Sequence, residues 1–112
     1  MSTIDEKITQ QIQGDDVVLY MKGTPVFPMC GFSAAVVQVL SQEGVPFQSY
    51  NILDDMELRQ GLKEFSNWPT FPQLYVKGEL VGGCDIVREM HESGELADFL
   101  AEKGVPTKAP AA

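Results

Sequence analysis

The stretch VVLYMKGTPVFPMCGFS, residues 17–33, leads from a compact apolar segment through a short loop to a cysteine. The apolar segment, residues 17–21, is rich in strand-forming side chains and is followed by turn residues, which predicts a buried strand. After Cys30, apolar residues recur at helical spacing over residues 31–43 and stop at Gly44, a pattern that predicts a helix. The stretch therefore places a thiol between the end of a strand and the start of a helix.

The rest of the chain predicts further regular elements in a defined order. They are a helix that begins at a capping box of Thr3 and Glu6, a strand over residues 47–52, a helix over 56–65, a hairpin over 73–83 that turns near Lys77 and Gly78, and a helical region over 85–102 interrupted around Ser93 and Gly94. The first two strands are joined through a helix and should be parallel, whereas the hairpin strands must be antiparallel. We therefore expect an α/β fold with a four-stranded mixed sheet and helices on both faces.

Length and composition indicate a single globular domain. A chain of 112 residues, 44% hydrophobic and 21% charged, can bury one core without a disulfide or a structural metal. We expect the domain to span residues 1–104 and residues 105–112 to form a flexible C-terminal tail.

Charge and hydropathy narrow the possible partners. The net charge of −8 has the wrong sign for binding a phosphate backbone, so nucleic acid is not expected as a partner. No apolar run approaches the ~20 residues of a membrane span, and residues 1–10 lack the features of a signal peptide. We therefore expect no membrane association and a cytoplasmic location, where a structural disulfide between Cys30 and Cys84 is not the default.

Cys30 is the candidate reactive residue. Ligands of α/β folds bind beyond the carboxyl ends of the parallel strands, and Cys30 lies there in the predicted order. At a helix start, the positive end of the helix dipole and the unpaired N–H groups favour the thiolate, and Lys22 adds positive charge nearby. A small buried cysteine without any chemistry is the alternative, and position alone does not separate the two interpretations.

Two longer motifs carry a resemblance to a known family. KGTPVFPMCGFS, residues 22–33, and WPTFPQLYVKGELVGGCD, residues 68–85, resemble the monothiol glutaredoxins, the CGFS class of the thioredoxin fold. The resemblance covers about residues 15–102. It rests on four features in the right order, namely the extended loop before the cysteine, CGFS itself, the TFPQ turn and the GGCD turn.

The resemblance implies a glutathione site next to Cys30. Pro72 would follow a cis peptide bond, and the backbone of Phe71 would offer a strand edge to the extended tripeptide. Lys22 and Arg59 would bind the carboxylate of the glycine residue of glutathione, Arg59 in bidentate fashion.

The other end of glutathione would lie at the start of the last helical region. There the resemblance implies a backbone N–H from Cys84 for the γ-glutamyl carboxylate and the side chain of Asp85 for its amine. Gly82 and Gly83 would let the ligand approach the backbone closely. Seen alone, Arg59 and Asp85 each fit a solvated helix residue equally well.

Ser33 occupies the position where a C-x-x-C site has its second cysteine. A single thiol that attacks a disulfide remains in a mixed disulfide until an outside thiol such as glutathione releases it. The sequence thus leaves open a weak glutathione-dependent oxidoreductase that acts on protein mixed disulfides. Whether Cys84 releases Cys30 through a disulfide or is only a packed thiol also stays open.

A metal role for Cys30 is the second functional class. A [2Fe–2S] cluster usually takes four thiolates, and two chains that each supply Cys30 and one bound glutathione would provide four. The monothiol glutaredoxins are similar to this description. The resemblance therefore implies a cluster-bridged homodimer active in iron–sulfur cluster assembly and transfer, with BolA-like proteins and cluster donor and acceptor proteins as partners.

Overall fold

Helices and strands alternate along the part of the chain that the computed structural model describes, residues 3–107. In chain order the elements are α1 (Thr3–Gly14), β1 (Val17–Met21), α2 (Gly31–Glu43), β2 (Gln48–Asn51), α3 (Met56–Ser66), β3 (Gln73–Val76), β4 (Glu79–Gly82), α4 (Cys84–Ser93) and α5 (Glu95–Glu102). The predicted order of elements is confirmed.

The four strands form one sheet in the order β2-β1-β3-β4. β1 pairs in parallel with β2, and antiparallel with β3. β3 and β4 form the antiparallel hairpin, which turns at Lys77 and Gly78, both with positive φ. The sheet is therefore mixed, as predicted, and its central strand β1 leads directly into the loop that carries Cys30.

Helices cover both faces of the sheet, which explains the unbroken apolar run of β1. Val17, Leu19 and Met21 pack in one core cluster with side chains of α2, α4 and α5. Val18 and Tyr20 point to the opposite face and pack with side chains of α1 and α3. Because successive strand residues alternate between faces, a strand buried on both sides is apolar throughout.

The helical region at the C-terminal end is divided where the sequence predicted an interruption. Gly94 adopts a φ of 85° and ends α4, donating its N–H to the carbonyl of His91. The left-handed conformation is accessible to glycine because it has no Cβ. α5 therefore begins in a new direction and returns its apolar face, with Leu96 and Leu100, to the core.

The packed part of the chain extends into the segment predicted as a tail. Val105 is buried in the core cluster beside α2 and α5, and its N–H bonds to the carbonyl of Leu100 at 2.9 Å. Residues 108–112 of the predicted tail lie outside the described residues, so the domain boundary stays a prediction. Among residues 3–107, no helix is long and apolar enough to cross a membrane.

Candidate functional site

A groove of about 520 Å³ lies next to the carboxyl end of β1. Its walls come from the loop after β1, the first turns of α2 and α3, the turn before β3 and the start of α4. All seven residues predicted for the site line it, namely Lys22, Cys30, Arg59, Phe71, Pro72, Cys84 and Asp85. The structure thus brings the predicted set together, while their individual roles stay predictions.

Cys30 is the N-cap residue of α2, with an extended backbone and a partly exposed side chain. The backbone N–H of Ser33 lowers the pKa of the Cys30 thiol most strongly, and the N–H of Phe32, the charge of Lys22 and the Ser33 hydroxyl lower it further. Burial raises the pKa of Cys30, but the lowering influences together outweigh it. Because the thiolate is the nucleophile and the metal ligand, the site favours the reactive form of Cys30.

The loop before Cys30 is fixed by short backbone hydrogen bonds. The N–H of Met29 bonds to the carbonyl of Lys22 at 2.8 Å, and the N–H of Thr24 bonds to the carbonyl of Phe27 at 3.1 Å. Gly23 has a φ of +93°, and a Cβ there would lie 2.5 Å from the Phe27 oxygen. Only glycine fits at this position, because both the conformation and the space exclude a side chain.

The cationic end of the groove is built on α3. Asp55 caps this helix by accepting the N–H of Leu58 at 3.0 Å, and it also pairs with Lys7 of α1 at 2.8 Å. Arg59 and Lys63 follow one turn apart on the helix and both line the groove. Lys63 is not among the residues predicted for the site, although its spacing of four residues from Arg59 puts both side chains on one helix face.

Arg59 retains unused hydrogen-bonding capacity. Its Nε atom is buried and has no hydrogen-bond partner among residues 3–107. Buried N–H donors are normally paired, so such an atom in a groove wall is suited to a ligand acceptor. Lys22 lines the same groove and adds a second positive charge to it.

Another part of the groove wall contains the cis peptide bond between Phe71 and Pro72. The fully buried side chain of Gln73 holds this turn in place from within. Its Nε2 donates to the carbonyls of Trp68 at 3.1 Å and Thr70 at 3.3 Å, while its Oε1 accepts the hydroxyl of Tyr75 at 3.1 Å. The cis bond expected from the resemblance is thus confirmed, and Gln73 is a further residue that shapes the site.

The start of α4 closes the groove. Cys84 is buried, and burial raises the pKa of its thiol, in contrast to Cys30. Asp85 is exposed at the helix N-terminus, where the first N–H groups have no partner within the helix. A Cβ on Gly83 would lie 3.2 Å from the Pro72 oxygen, so the absent side chain permits close packing of α4 against the turn.

Large exposed apolar side chains flank Cys30 along the chain and form the apolar rim of the loop and the first turn of α2. Val26, Phe27, Met29 and Phe32 are between 62% and 79% exposed. An exposed apolar patch of this kind is typical of a surface that contacts another molecule. Within residues 3–107, no group of three or more His, Cys, Asp or Glu side chains could hold a metal ion.

Comparison with known proteins identifies the family of this site. Residues 17–81 match the family model described as glutaredoxin. The chain belongs to the glutaredoxin family. Its relatives place it in the monothiol branch, as the sequence motifs predicted, and glutaredoxins use glutathione.

Two relatives illustrate how this glutaredoxin aligns with longer and with similar-sized proteins. Monothiol glutaredoxin-S11 of Oryza sativa subsp. japonica is 58% identical over 103 residues, which cover 92% of this chain but 21% of the rice protein. Glutaredoxin 4 of Haemophilus ducreyi is 55% identical over 102 residues, covering 91% of this chain and 94% of that protein. The chain thus spans about a fifth of the rice relative and nearly all of the Haemophilus one.

Solved structures agree with the observed architecture of this glutaredoxin. A solution structure of a monomeric truncated mutant of Trypanosoma brucei 1-C-Grx1 superposes with a TM-score of 0.85 at 40% sequence identity, covering 96% of this chain and 98% of that one. The predicted thioredoxin fold is therefore confirmed.

Proposed function

We propose that this chain is a glutathione-dependent carrier of [2Fe–2S] clusters, with one cluster held between two copies of the chain for assembly and transfer. The observation that carries the proposal is the contrast between its thiols. The pKa of Cys30, in the groove, is lowered, that of Cys84 is raised by burial, and Ser33 replaces the second thiol of a dithiol site. Each chain therefore offers one thiolate that no neighbouring thiol can consume in a C-x-x-C disulfide.

The number of thiolates supports a shared cluster. A [2Fe–2S] cluster usually takes four thiolates, and the described residues hold no group of three or more metal-ligating side chains. One Cys30 and one glutathione thiolate from each of two copies would supply four. The exposed apolar rim formed by Val26, Phe27, Met29 and Phe32 supports a contact between the copies, because these residues flank, along the chain, the thiol that both would present.

The groove has the charges that an extended glutathione requires. Lys22, Arg59 and Lys63 line one part of it, and Asp85 with the N-terminus of α4 lies at another. The cations suit the glycine carboxylate, while the helix N-terminus and Asp85 suit the γ-glutamyl carboxylate and amine respectively. The unpaired Nε of Arg59 adds a donor that such a ligand would satisfy.

The proposal extends to partners. Since half of the thiolates would come from a diffusible tripeptide, the cluster would be readily released, as transfer requires. We include BolA-like proteins and cluster donor and acceptor proteins as partners, by resemblance to the monothiol glutaredoxins. The cytoplasmic location stays a prediction.

A weak oxidoreductase is the second candidate, and the lowered pKa of Cys30 favours it as well. The Cys30 thiolate would attack the glutathione sulfur of a protein mixed disulfide and release the protein thiolate, which takes up a proton. A second glutathione thiolate would then attack the Cys30–glutathione disulfide, so that glutathione disulfide leaves and the Cys30 thiolate returns. This activity needs only an apo monomer, whereas cluster carriage needs a glutathione-containing dimer.

Anaerobic purification with analysis of iron, sulfide and glutathione tests the proposal. We expect a coloured dimer with one cluster and two glutathiones per two chains. Cys30→Ser should lose the cluster, and Cys84→Ser, the matched control, should keep it. Passage of the holo-protein through a glutathione-free column decides the source of the other ligands: a dimer that retains its full cluster without glutathione would contradict the proposal.

A further inference from the structure

One amide side chain connects the two segments that carry the cations of the groove. Asn51 is the last residue of β2, and its Oδ1 accepts the N–H of Gly23 at 2.9 Å and the N–H of Leu53 at 3.0 Å. Gly23 directly follows Lys22. Leu53 belongs to the turn that leads into α3, where Arg59 lies on the first turns.

The connection lies where the backbone pairing of the sheet ends. The N–H of Ile52 bonds to the carbonyl of Met21 at 3.0 Å, the last backbone bond between these two segments. Beyond it the chains diverge, one into the loop before Cys30 and the other into the turn before α3. The Asn51 side chain continues the connection by one further hydrogen bond, from Gly23.

The amide group of Asn51 is itself held in orientation. Its Nδ2 donates to the Oδ2 of Asp54 at 3.3 Å, and this fixes Oδ1 toward the two backbone N–H groups. Asn51 does not line the groove, whereas Lys22 and Arg59 do. Any influence of Asn51 on a ligand must therefore act through the segments that carry these two cations.

We propose that Asn51 is a positioning residue that sets the separation of Lys22 and Arg59, and thereby the affinity of the groove for a peptide carboxylate. The inference rests on the proposed binding of glutathione and adds a residue that sequence motifs do not indicate. Lys22 is further held by Ser33, whose hydroxyl accepts its N–H at 3.1 Å. Loss of the Asn51 side chain therefore removes the hydrogen bond that connects the loop after β1 to the turn before α3. The hydrogen bond between Lys22 and Ser33 of α2 remains.

The test compares two ligands of the apo-protein by NMR titration: glutathione, and glutathione with its glycine carboxylate blocked as the ethyl ester. Asn51→Ala should weaken glutathione binding about three- to fivefold, the upper part of the range for one exposed charge contact. The same variant should bind the ester as the wild type does, because the ester offers no carboxylate to position.

Two controls separate positioning from a general structural effect. The exchange Asn51→Asp with Asp54→Asn keeps the acceptor for both N–H groups and the total charge, so glutathione affinity should return to within about twofold of wild type. Asp54→Ala removes the bond that orients the amide but keeps the Asn51 acceptor, so it should weaken glutathione binding less than Asn51→Ala does. If Asn51→Ala does not fold, as judged by circular dichroism, Asn51→Ser is measured in its place with the same expectation.

The possible outcomes are distinct. Equal wild-type affinity for glutathione and its ester would show that no carboxylate clamp exists, and the glutathione site under the proposed function would fail. A wild type that prefers glutathione, combined with an Asn51→Ala variant that weakens both ligands equally or neither, would overturn the role of Asn51 alone.

Discussion

The hydroxyl oxygen of Ser33 accepts the backbone N–H of Lys22 at 3.1 Å. Ser33 is fully buried, and its bond joins the end of β1 to the first turn of α2, beside Cys30. Sulfur is a weaker acceptor than a hydroxyl oxygen. The serine of the CGFS motif therefore has a structural role in addition to the absence of a second thiol. It connects the end of β1 to the start of α2, and the reactive cysteine lies between them.

Ser33→Cys should increase oxidoreductase turnover and weaken cluster binding. The variant gains a C-x-x-C pair, so we expect higher turnover of glutathione mixed disulfides and an oxidisable pair that competes with cluster binding. It also weakens the bond from Lys22, which should lower the free energy of unfolding by about 0.5 to 1.5 kcal/mol. Ser33→Ala is the matched control, since it loses the acceptor without gaining a thiol. Equal turnover of the two variants would show that the missing thiol does not limit the enzyme.

The thiol of Cys30 should titrate below its usual pKa of 9.0. In Cys84→Ser, the rate of alkylation by iodoacetamide should reach half its maximum at a pH below 9.0, and Ser33→Ala should move this midpoint upward. Because the folded-state pKa is lowered, the thiolate contributes stability that is full above pH 9 and is lost as the pH falls through the folded-state pKa. A midpoint at or above 9.0 would contradict the assignment of a stabilised thiolate.

Sequence patterns were sufficient for the order of elements and for the residues that carry the motifs. The apolar run of β1, the helix stop at Gly44 and the break at Gly94 are local signals, and the structure reproduces each. The gathering of Lys22, Arg59 and Asp85 around Cys30 was reached only through the family resemblance. Composition and periodicity do not reveal which distant side chains meet.

The residues missed by sequence reasoning act through contacts between distant segments. The bond from Gly23 to Asn51 spans 28 positions, and no local pattern distinguishes Asn51 from any other asparagine at a strand end. Gln73 was quoted within the TFPQ turn, yet its three hydrogen bonds depend on the fold of that turn. Lys63 could have been found from its spacing to Arg59, once α3 was assigned to the groove.

Asp55 is expected to stabilise α3 in a pH-dependent way. The hydrogen bond from Lys7, and then the N–H of Leu58, lower the pKa of the Asp55 carboxyl below its usual 3.8. Its contribution to stability is therefore full above pH 3.8 and is lost as the pH falls through the folded-state pKa.

Asp55→Ala should lower the free energy of unfolding at pH 7 by about 1 kcal/mol, the usual cost of losing a helix N-cap. Lys7→Ala is the control that removes the ion pair but keeps the cap, and it should cost less, since exposed pairs contribute about 0.2 to 1 kcal/mol. Urea unfolding at pH 7 and pH 3 measures both. If Asp55→Ala cost no more than Lys7→Ala at pH 7, the cap would not be the stabilising contact.

Arg59→Ala should impair cluster retention more than Lys22→Ala does. The Arg59 guanidinium is half-buried with an unpaired Nε and can bind a carboxylate in bidentate fashion, a contact of about 1.5 to 3 kcal/mol. A flexible lysine ammonium contributes about 0.2 to 1 kcal/mol when exposed. Since the proposed dimer holds two glutathiones through one cluster, each loss counts twice.

Cluster loss is followed by visible absorbance after dilution of the anaerobic holo-protein, at a series of glutathione concentrations. Excess glutathione should partly restore retention in both variants, because mass action compensates a weaker site. Lys77→Ala removes a cation that pairs with Asp16 away from the groove, and it should behave as the wild type. Arg59→Ala losing its cluster no faster than Lys77→Ala would contradict the assignment of Arg59 to glutathione binding. So would a rate of cluster loss in Arg59→Ala that added glutathione does not slow, since a weakened glutathione contact must respond to the concentration of its ligand.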